Sequence, residues 1–156
     1  METSILAAVK PEVKEVDLKK YSGKWYVIAA ITTPFDRHWN HITETYVIND
    51  KGYIDAYTTF TRKNKDKVHR LKARGFPEKE SYNKKWKMQF LRLVKRDYLI
   101  EELASDYSYA VVGHPKKTFL YILCREKSMD GATLNEIINR CRQDGYNITK
   151  LRKVIQ

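Results

Sequence analysis

The chain has 156 residues, of which 42% are hydrophobic and 12% aromatic, and its formal net charge at pH 7 is +11. This length fits one domain with a core that needs no disulfide bonds, and the apolar content excludes an intrinsically disordered chain. The two cysteines, Cys124 and Cys141, are too few for a disulfide scaffold and lie in no CxxC spacing. We therefore expect neither a metal site nor a cofactor.

The first ten residues contain one apolar patch, residues 5–9, which is shorter than the apolar region of a signal peptide. No segment reaches the ~20 apolar residues of a transmembrane helix. We expect residues 1–16 to form an N-terminal arm and residues 17–156 to form one domain. The protein is then expected in the cytoplasm, or in the cell envelope, in the periplasm or at the outer membrane, if a signal segment was removed before Met1.

From residue 24 to residue 123 the chain alternates apolar and polar side chains in short runs separated by turn residues, which is typical of antiparallel strands. Asn49–Gly52 is a typical hairpin turn, because glycine readily takes the positive φ angle that such turns need. The eight predicted strands are Trp25–Thr32, Ile42–Ile48, Tyr53–Thr61, Val68–Phe76, Trp86–Leu91, Tyr98–Leu103, Tyr107–Val112 and Phe119–Arg125.

One helix is predicted after the eighth strand. Leu134, Ile137, Ile138 and Cys141 fall at the spacing of one apolar helical stripe, and Gly145 follows as a stop signal. A ninth short strand is expected at 148–153. The order of these elements predicts an all-β fold: an eight-stranded antiparallel up-and-down barrel with the helix packed outside. Such a barrel leaves an interior just large enough for one small ligand.

Three motifs in this order resemble the lipocalin family. They are Gly23-Lys24-Trp25 before the first strand, Ser105-Asp106-Tyr107 before the seventh, and Arg125 at the end of the eighth. Segments 107–115, 119–125 and 143–151 also resemble the branch that contains the bacterial outer-membrane lipocalins and apolipoprotein D. That branch usually carries a lipidated N-terminal cysteine, which this sequence lacks.

The resemblance implies that Gly23, Trp25, Asp106, Tyr107 and Arg125 close one end of the barrel, and that a small hydrophobic molecule binds inside. Because side chains of a strand alternate, placing Trp25 and Arg125 inside sets the phase of their strands. The residues predicted to bind the ligand are Ala29, Tyr46, Ala56, His69, Trp86, Met88, Phe90, Tyr98, Tyr109, Phe119 and Tyr121. The same alternation turns Glu44 and Glu102 inward, and the sequence leaves open whether they line the cavity.

We predict that the protein binds and transports or stores a fatty acid or lysophospholipid-like molecule and is not an enzyme. Its basic surface, including Arg70, Lys72 and Arg74, leaves contact with an anionic membrane open; no nucleic acid is expected, and the chain is expected to be a monomer or a weak homodimer. Three alternatives remain: a barrel filled by its own side chains, a lipocalin-fold enzyme acting on a hydrophobic substrate, and a basic nucleic-acid-binding barrel.

Overall fold

The fold is that of a computed structural model, which describes residues 10–11, 13–92 and 94–156. Most of the predicted arm, residues 1–16, lies outside the described residues, so the division of the chain at residue 16 stays a prediction. Its described end packs on the domain. Val16 is buried, and its backbone N–H donates to the carbonyl oxygen of Tyr82 at 3.0 Å.

Within the part of the chain that the structure describes, nine strands form one antiparallel sheet in which consecutive strands from the second to the eighth are neighbours. The strands are β1 (Gly23–Ile31), β2 (Trp39–Ile48), β3 (Ile54–Arg62), β4 (Val68–Pro77), β5 (Lys85–Leu91), β6 (Val94–Leu103), β7 (Tyr109–Gly113), β8 (Leu120–Cys124) and β9 (Leu151–Lys153). Because β1 pairs with both β8 and β2, the first eight strands close into a barrel. The predicted up-and-down barrel is confirmed.

The barrel closes along a seam that changes partner halfway. The first half of β1, from Gly23 to Tyr26, pairs with β2, whereas residues 29–31 pair with β9. Where β1 and β2 separate, the side-chain amide of Gln156 donates to the carbonyl oxygens of Val27 at 2.7 Å and Ile42 at 2.9 Å. One side chain thus bridges two backbones that no longer bond to each other.

Two α-helices of the described residues flank the barrel. The first, α1 (Leu18–Tyr21), was not predicted; the carboxylate of Asp17 caps it by accepting from the backbone N–H of Lys19 at 3.0 Å. The second, α2 (Gly131–Gln143), is the predicted outer helix, capped by Asp130. Two 3-10 turns, Lys79–Ser81 and Ile148–Lys150, complete the described secondary structure.

Apolar side chains are buried in two layers, one inside the barrel and one between the barrel and α2. The outer layer contains Leu134, Ile137 and Cys141 of the predicted helical stripe, facing residues of β1, β7 and β8. Cys124 and Cys141 are both free and buried in this layer. Strands β1, β7 and β8 therefore bury side chains on both faces, whereas β2 to β5 keep one face toward solvent along most of their length.

Two bulges and a turn overturn part of the predicted inward phase. A bulge in β1 between Val27 and Ala29 turns Ala29 outward under α2 and puts Ala30 inside. Tyr107 has a positive φ of 60°, and the strand that follows it has Tyr109 outside and Ala110 inside. Ala29 and Tyr109 were therefore wrongly predicted as ligand-binding residues, because each irregularity reverses the side-chain alternation.

Glu102 is a third displaced residue, and it does not line the cavity. A bulge between Ile100 and Glu102 turns its carboxylate outward, where the Nε of Arg140 on α2 donates to Oε1 at 3.1 Å. The hydroxyl of Tyr109 donates to the same oxygen at 2.9 Å. This buried cluster ties α2 to the barrel wall.

Candidate ligand-binding cavity

A candidate cavity of about 110 Å³ lies inside the barrel. It opens at the end that carries the β1–β2 and β5–β6 connections. Its middle is apolar, and Ala56 and Ala73 provide space because their side chains are small. The lining residues are Thr33, Phe35, Asp36, Trp39, Glu44, Tyr46, Ala56, Thr58, Leu71, Ala73, Met88, Phe90, Arg96, Asp97, Tyr98, Val112, Phe119 and Tyr121. Seven of the predicted ligand-binding residues belong to this wall: Tyr46, Ala56, Met88, Phe90, Tyr98, Phe119 and Tyr121.

Two further predicted residues lie elsewhere inside the barrel. Trp86 is buried below the cavity, where its indole N–H donates to the carbonyl oxygen of Asn83 at 2.8 Å. His69 stacks on Phe60 with ring centroids 5.2 Å apart and does not line the cavity. The alternation of side chains correctly places both residues on the inward face of their strands. It does not predict how far along the barrel axis each side chain lies from the cavity.

The other end of the barrel is closed by the motif residues. The guanidinium of Arg125 lies 3.7 Å from the ring centroid of Trp25 and donates to the carbonyl oxygens of Lys24 at 3.0 Å and Lys20 at 2.7 Å. Gly23 has a φ of +99°, and a Cβ there would lie 3.3 Å from the guanidinium. The glycine therefore lets Arg125 close over the indole.

Asp106 and Tyr107 shape the neighbouring turn. The carboxylate of Asp106 accepts from the backbone N–H of Ser108 at 3.0 Å, and hydrogen bonds from Ser108 lower the pKa of this carboxyl group. The hydroxyl of Tyr107 accepts from the backbone N–H of Asp17 at 2.9 Å, which fixes the start of α1 against the barrel. The floor of the cavity is thus held by contacts among residues far apart in sequence.

Three tyrosine hydroxyls form a chain between this floor and the cavity. Tyr21 donates to Tyr98 at 2.5 Å, because the single proton of Tyr98 is donated to Tyr46 at 2.9 Å. Burial raises the pKa of all three hydroxyls well above the usual value of 10.0, so all three stay protonated. The chain leaves the proton of Tyr46, which lines the cavity, without an acceptor among the described residues.

Three carboxyl groups line the cavity, those of Glu44, Asp36 and Asp97, and Asp97 pairs with Lys87. Glu44, near the floor, accepts from the Thr58 hydroxyl at 2.8 Å. Burial raises the pKa of Glu44 to about 8, with a smaller contribution from the charge of Asp36, so this group is mostly neutral at pH 7. Asp36 lies near the mouth, where it accepts from the Thr33 backbone N–H at 2.7 Å and from the Tyr121 hydroxyl.

The mouth was the least predictable part of the site. Phe35 and Asp36 lie in the β1–β2 connection and Trp39 is the first residue of β2, and none of the three belongs to a predicted strand. Arg96 was also missed; its guanidinium lies 5.7 Å from the Phe90 ring centroid and 5.9 Å from that of Phe119. No sequence signal separates Arg96 from its basic neighbours Arg92 and Lys95.

The cavity wall contains neither of the cysteines nor Glu102. Both thiols are buried under α2, and Glu102 pairs with Arg140, so Glu44 and Glu102 form no carboxylate pair. No group of three or more histidine, cysteine or acidic side chains in the described part of the chain is arranged to hold a metal ion. None of the helices described here is long and apolar enough to cross a membrane.

A closed antiparallel barrel with one plugged end, one open end and an apolar interior defines a ligand-binding calyx. The family model of the lipocalin-like domain matches residues 16–156. The chain therefore belongs to the lipocalin family, as its motifs predicted, and to a class of proteins that bind small hydrophobic ligands.

Two named relatives cover most of the chain. Temperature-induced lipocalin-1 of Arabidopsis thaliana is 27% identical over 151 residues, which is 92% of this chain and 81% of that protein. The outer membrane lipoprotein Blc of Vibrio cholerae is 26% identical over 150 residues, covering 96% of this chain and 87% of the relative. The predicted resemblance to the bacterial outer-membrane branch is confirmed.

Solved structures show the same fold at lower identity. Insecticyanin from the tobacco hornworm Manduca sexta superposes with a TM-score of 0.72 at 22% identity, over 95% of this chain and 84% of that one. Lobster apocrustacyanin A1 superposes with a TM-score of 0.68 at 16% identity, over 88% and 78% of the two chains.

Proposed function

We propose that this protein binds one fatty acid or lysophospholipid in the barrel cavity and transports or stores it. The observation that supports this proposal most is the pairing of an apolar cavity with a guanidinium at its mouth. The acyl chain lies in the middle of the barrel, and its anionic headgroup lies beside Arg96.

The apolar middle suits an acyl chain because removing its surface from water contributes about 25 cal/mol per Å². The cavity of about 110 Å³ is smaller than the roughly 300–1,000 Å³ of ligand pockets in general, so the mouth must widen on binding. Phe35 and Phe90 can move at little cost, since their side chains are already 75% and 42% exposed.

The charges of the site are consistent with an anionic headgroup at the mouth. Arg96 is exposed and forms no ion pair with any described residue. The raised pKa of Glu44 keeps this deep carboxyl group mostly neutral at pH 7, so it repels an anionic ligand little. Asp36 accepts from Thr33 and Tyr121, which partly satisfies its charge.

A fluorescent fatty acid, displaced by unlabelled fatty acid or lysophospholipid, tests the proposal. Ala73→Leu fills the middle of the cavity and should weaken binding of every acyl probe, whereas Ala132→Leu on the exposed face of α2 should not. Urea denaturation confirms that both variants fold. Failure of every acyl probe to bind, or an unchanged affinity in Ala73→Leu, contradicts an acyl-binding cavity.

The headgroup is tested separately with Arg96→Gln. Losing a charge-assisted hydrogen bond should weaken binding of a fatty acid about tenfold, while a fatty alcohol of equal chain length should bind as before. Arg92→Gln is the matched control, because Arg92 is an exposed cation of the same hairpin that does not line the cavity. An equal effect on acid and alcohol would show that Arg96 does not bind the headgroup.

A further inference from the structure

The open end of the barrel carries an unusual share of the exposed apolar surface. Ten large apolar side chains are markedly exposed among the described residues, and six of them lie at this end. The six are Phe35, Val68, Leu71, Phe90, Leu91 and Val94. Phe35, Val68 and Leu91 are 75%, 65% and 72% exposed, so they contribute little to the core. Clustered apolar surface on a folded protein marks an interaction site.

Basic side chains flank these apolar residues. We use the name rim for two segments at the open end: residues 62–68, which join β3 to β4, and the tip of the β5–β6 hairpin, of which residues 90–92 and 94–96 are described. The rim contains seven exposed cations: Arg62, Lys63, Lys65, Lys67, Arg92, Lys95 and Arg96. None of them forms an ion pair with a described residue, and Asp66 is the one described acidic residue within the rim.

The outer wall of the barrel differs from the rim. Its basic residues Arg70, Lys72 and Arg74 were the sequence-based candidates for membrane contact. The guanidinium of Arg70 lies 4.1 Å from the ring centroid of Tyr57, and Lys72 pairs with Asp55 at 3.7 Å. Arg70 and Lys72 are therefore engaged within the molecule, and Leu71 is the one large apolar side chain between Arg70 and Arg74.

We propose that the rim docks on an anionic phospholipid bilayer, with Val68 and Leu91 entering the interface and the surrounding cations contacting lipid headgroups. Apolar side chains surrounded by lysine and arginine suit this interface, because the apolar groups leave water while the cations remain beside anionic lipid. The density of unpaired positive charge favours this partner over a second copy of the chain, whose own rim would repel it.

Docking in this orientation points the mouth of the cavity at the membrane. A molecule with an acyl chain would then pass between bilayer and barrel without crossing bulk water. The docking itself does not depend on the proposed ligand, since the rim residues tested below, Lys63, Lys65, Lys67, Val68 and Leu91, lie outside the cavity wall.

Co-sedimentation with vesicles of phosphatidylcholine, with and without phosphatidylglycerol, tests the proposal. The unchanged protein should sediment with the mixed vesicles and much less with phosphatidylcholine alone. Replacing Lys63, Lys65 and Lys67 together by Glu should weaken binding to mixed vesicles by at least about a hundredfold, since each cation near such a surface contributes about a factor of five.

The matched control replaces three exposed lysines at the closed end, Lys51, Lys79 and Lys127, by Glu. Both triple variants change the net charge equally, so only position separates them. The control should retain most of the vesicle binding. An equal loss in both variants, or no binding by the unchanged protein, would overturn docking through the rim.

A second pair of variants tests the apolar contacts. Val68→Gln with Leu91→Gln should reduce vesicle binding about tenfold or more, because two apolar side chains no longer leave water. Val47→Gln with Ile48→Gln, exposed residues at the end of β2, should have little effect. If the rim pair leaves vesicle binding unchanged but dissociates a dimer in analytical ultracentrifugation, the rim binds a second copy and the proposal is wrong.

Discussion

Glu44 shows how one buried residue sets the charge of the cavity. Its carboxyl group is 7% exposed and has one hydrogen bond from a described side chain, that of Thr58. Burial therefore disfavours the ionised form and raises its pKa from 4.5 to about 8. The Glu44 carboxyl group is therefore mostly neutral below pH 8 and mostly ionised above it.

Glu44 also makes the stability of the fold depend on pH. Between pH 4.5 and pH 8 the folded chain keeps a proton that the unfolded chain has released, so the free energy of unfolding falls as pH rises. The fall is on the order of 5 kcal/mol at most for a shift of this size.

We expect Glu44→Gln to remove this slope and to make the protein more stable at pH 8 than the unchanged chain. Urea denaturation from pH 5 to pH 9 measures it, with Glu126→Gln as a control at an exposed carboxylate. A slope that persists in Glu44→Gln would show that the buried carboxyl group is not its source.

Trp25 contributes to the closed end through packing and through its contact with Arg125. The side chain is fully buried, and its indole N–H donates to the carbonyl oxygen of Tyr21 at 2.9 Å. Trp25→Ala should lower the free energy of unfolding by about 3–5 kcal/mol, as expected for large-to-small changes in a core. Arg125→Ala should cost less, because the guanidinium is partly exposed.

Chemical denaturation at one fixed pH checks both values. Tyr82→Ala serves as the control, since Tyr82 is an aromatic residue at the same end but is 60% exposed. Equal denaturation midpoints for Trp25→Ala and Tyr82→Ala would contradict a structural role for the indole.

At the scale of elements, α2 is held to the barrel by a buried ion pair as well as by apolar packing. The side chains of Arg140 and Glu102 are 6% and 2% exposed. Arg140→Met should lower the free energy of unfolding by about 3–5 kcal/mol, because it leaves the Glu102 carboxylate buried without its cation.

The double variant Arg140→Met with Glu102→Gln should recover most of that loss. The glutamine carries no charge and still offers an oxygen to the Tyr109 hydroxyl, which now donates to Glu102. Thermal unfolding of the single and double variants gives the comparison. A double variant no more stable than Arg140→Met would show that the unpaired charge is not what destabilises the helix.

The sequence predicted the elements well and their inward faces only in part. On β3, Ile54, Ala56 and Phe60 alternate with residues that are partly exposed, and the predicted phase is correct. On β1, residues 27–31 are all buried: Val27 and Ala30 lie inside the barrel, and the other three lie in the layer under α2. Alternation carries no information in such a run, so the bulge at Ala29 left no trace in the sequence.

The candidate site follows the same division. The prediction correctly placed Tyr46, Ala56 and Met88 in the cavity wall, because one face of their strands is exposed to solvent and the other is buried. Asp36 and Phe35 were not singled out, because their positions depend on the conformation of a loop rather than on a periodic pattern. The family motifs predicted the residues of the closed end. The residues of the mouth were identified only from the three-dimensional structure.

On the scale of the whole molecule, the two ends of the barrel have different properties. Aromatic packing and arginine hydrogen bonds to carbonyl oxygens close one end, and the other exposes apolar and basic side chains around an entrance. Substitutions at the closed end should therefore change stability, whereas substitutions at the rim should change binding. This separation lets fold and function be tested with different residues.

The change of partner along β1 leaves one stretch of the β1–β2 seam bridged by a side chain instead of by backbone bonds, although the β4–β5 and β6–β7 ladders also have only four residue pairs each. The β2–β3 ladder has eight residue pairs, whereas the β1–β2 ladder has four and continues as the two bonds donated by Gln156. Local opening needs the least free energy where the fewest bonds break. Backbone amides of β1 and β2 beside the Gln156 bridge should exchange with deuterium sooner than those of β3, and sooner still in Gln156→Ala. The stretch of the seam beside Gln156 would then act as a fastening made by one side chain, which a single substitution can undo.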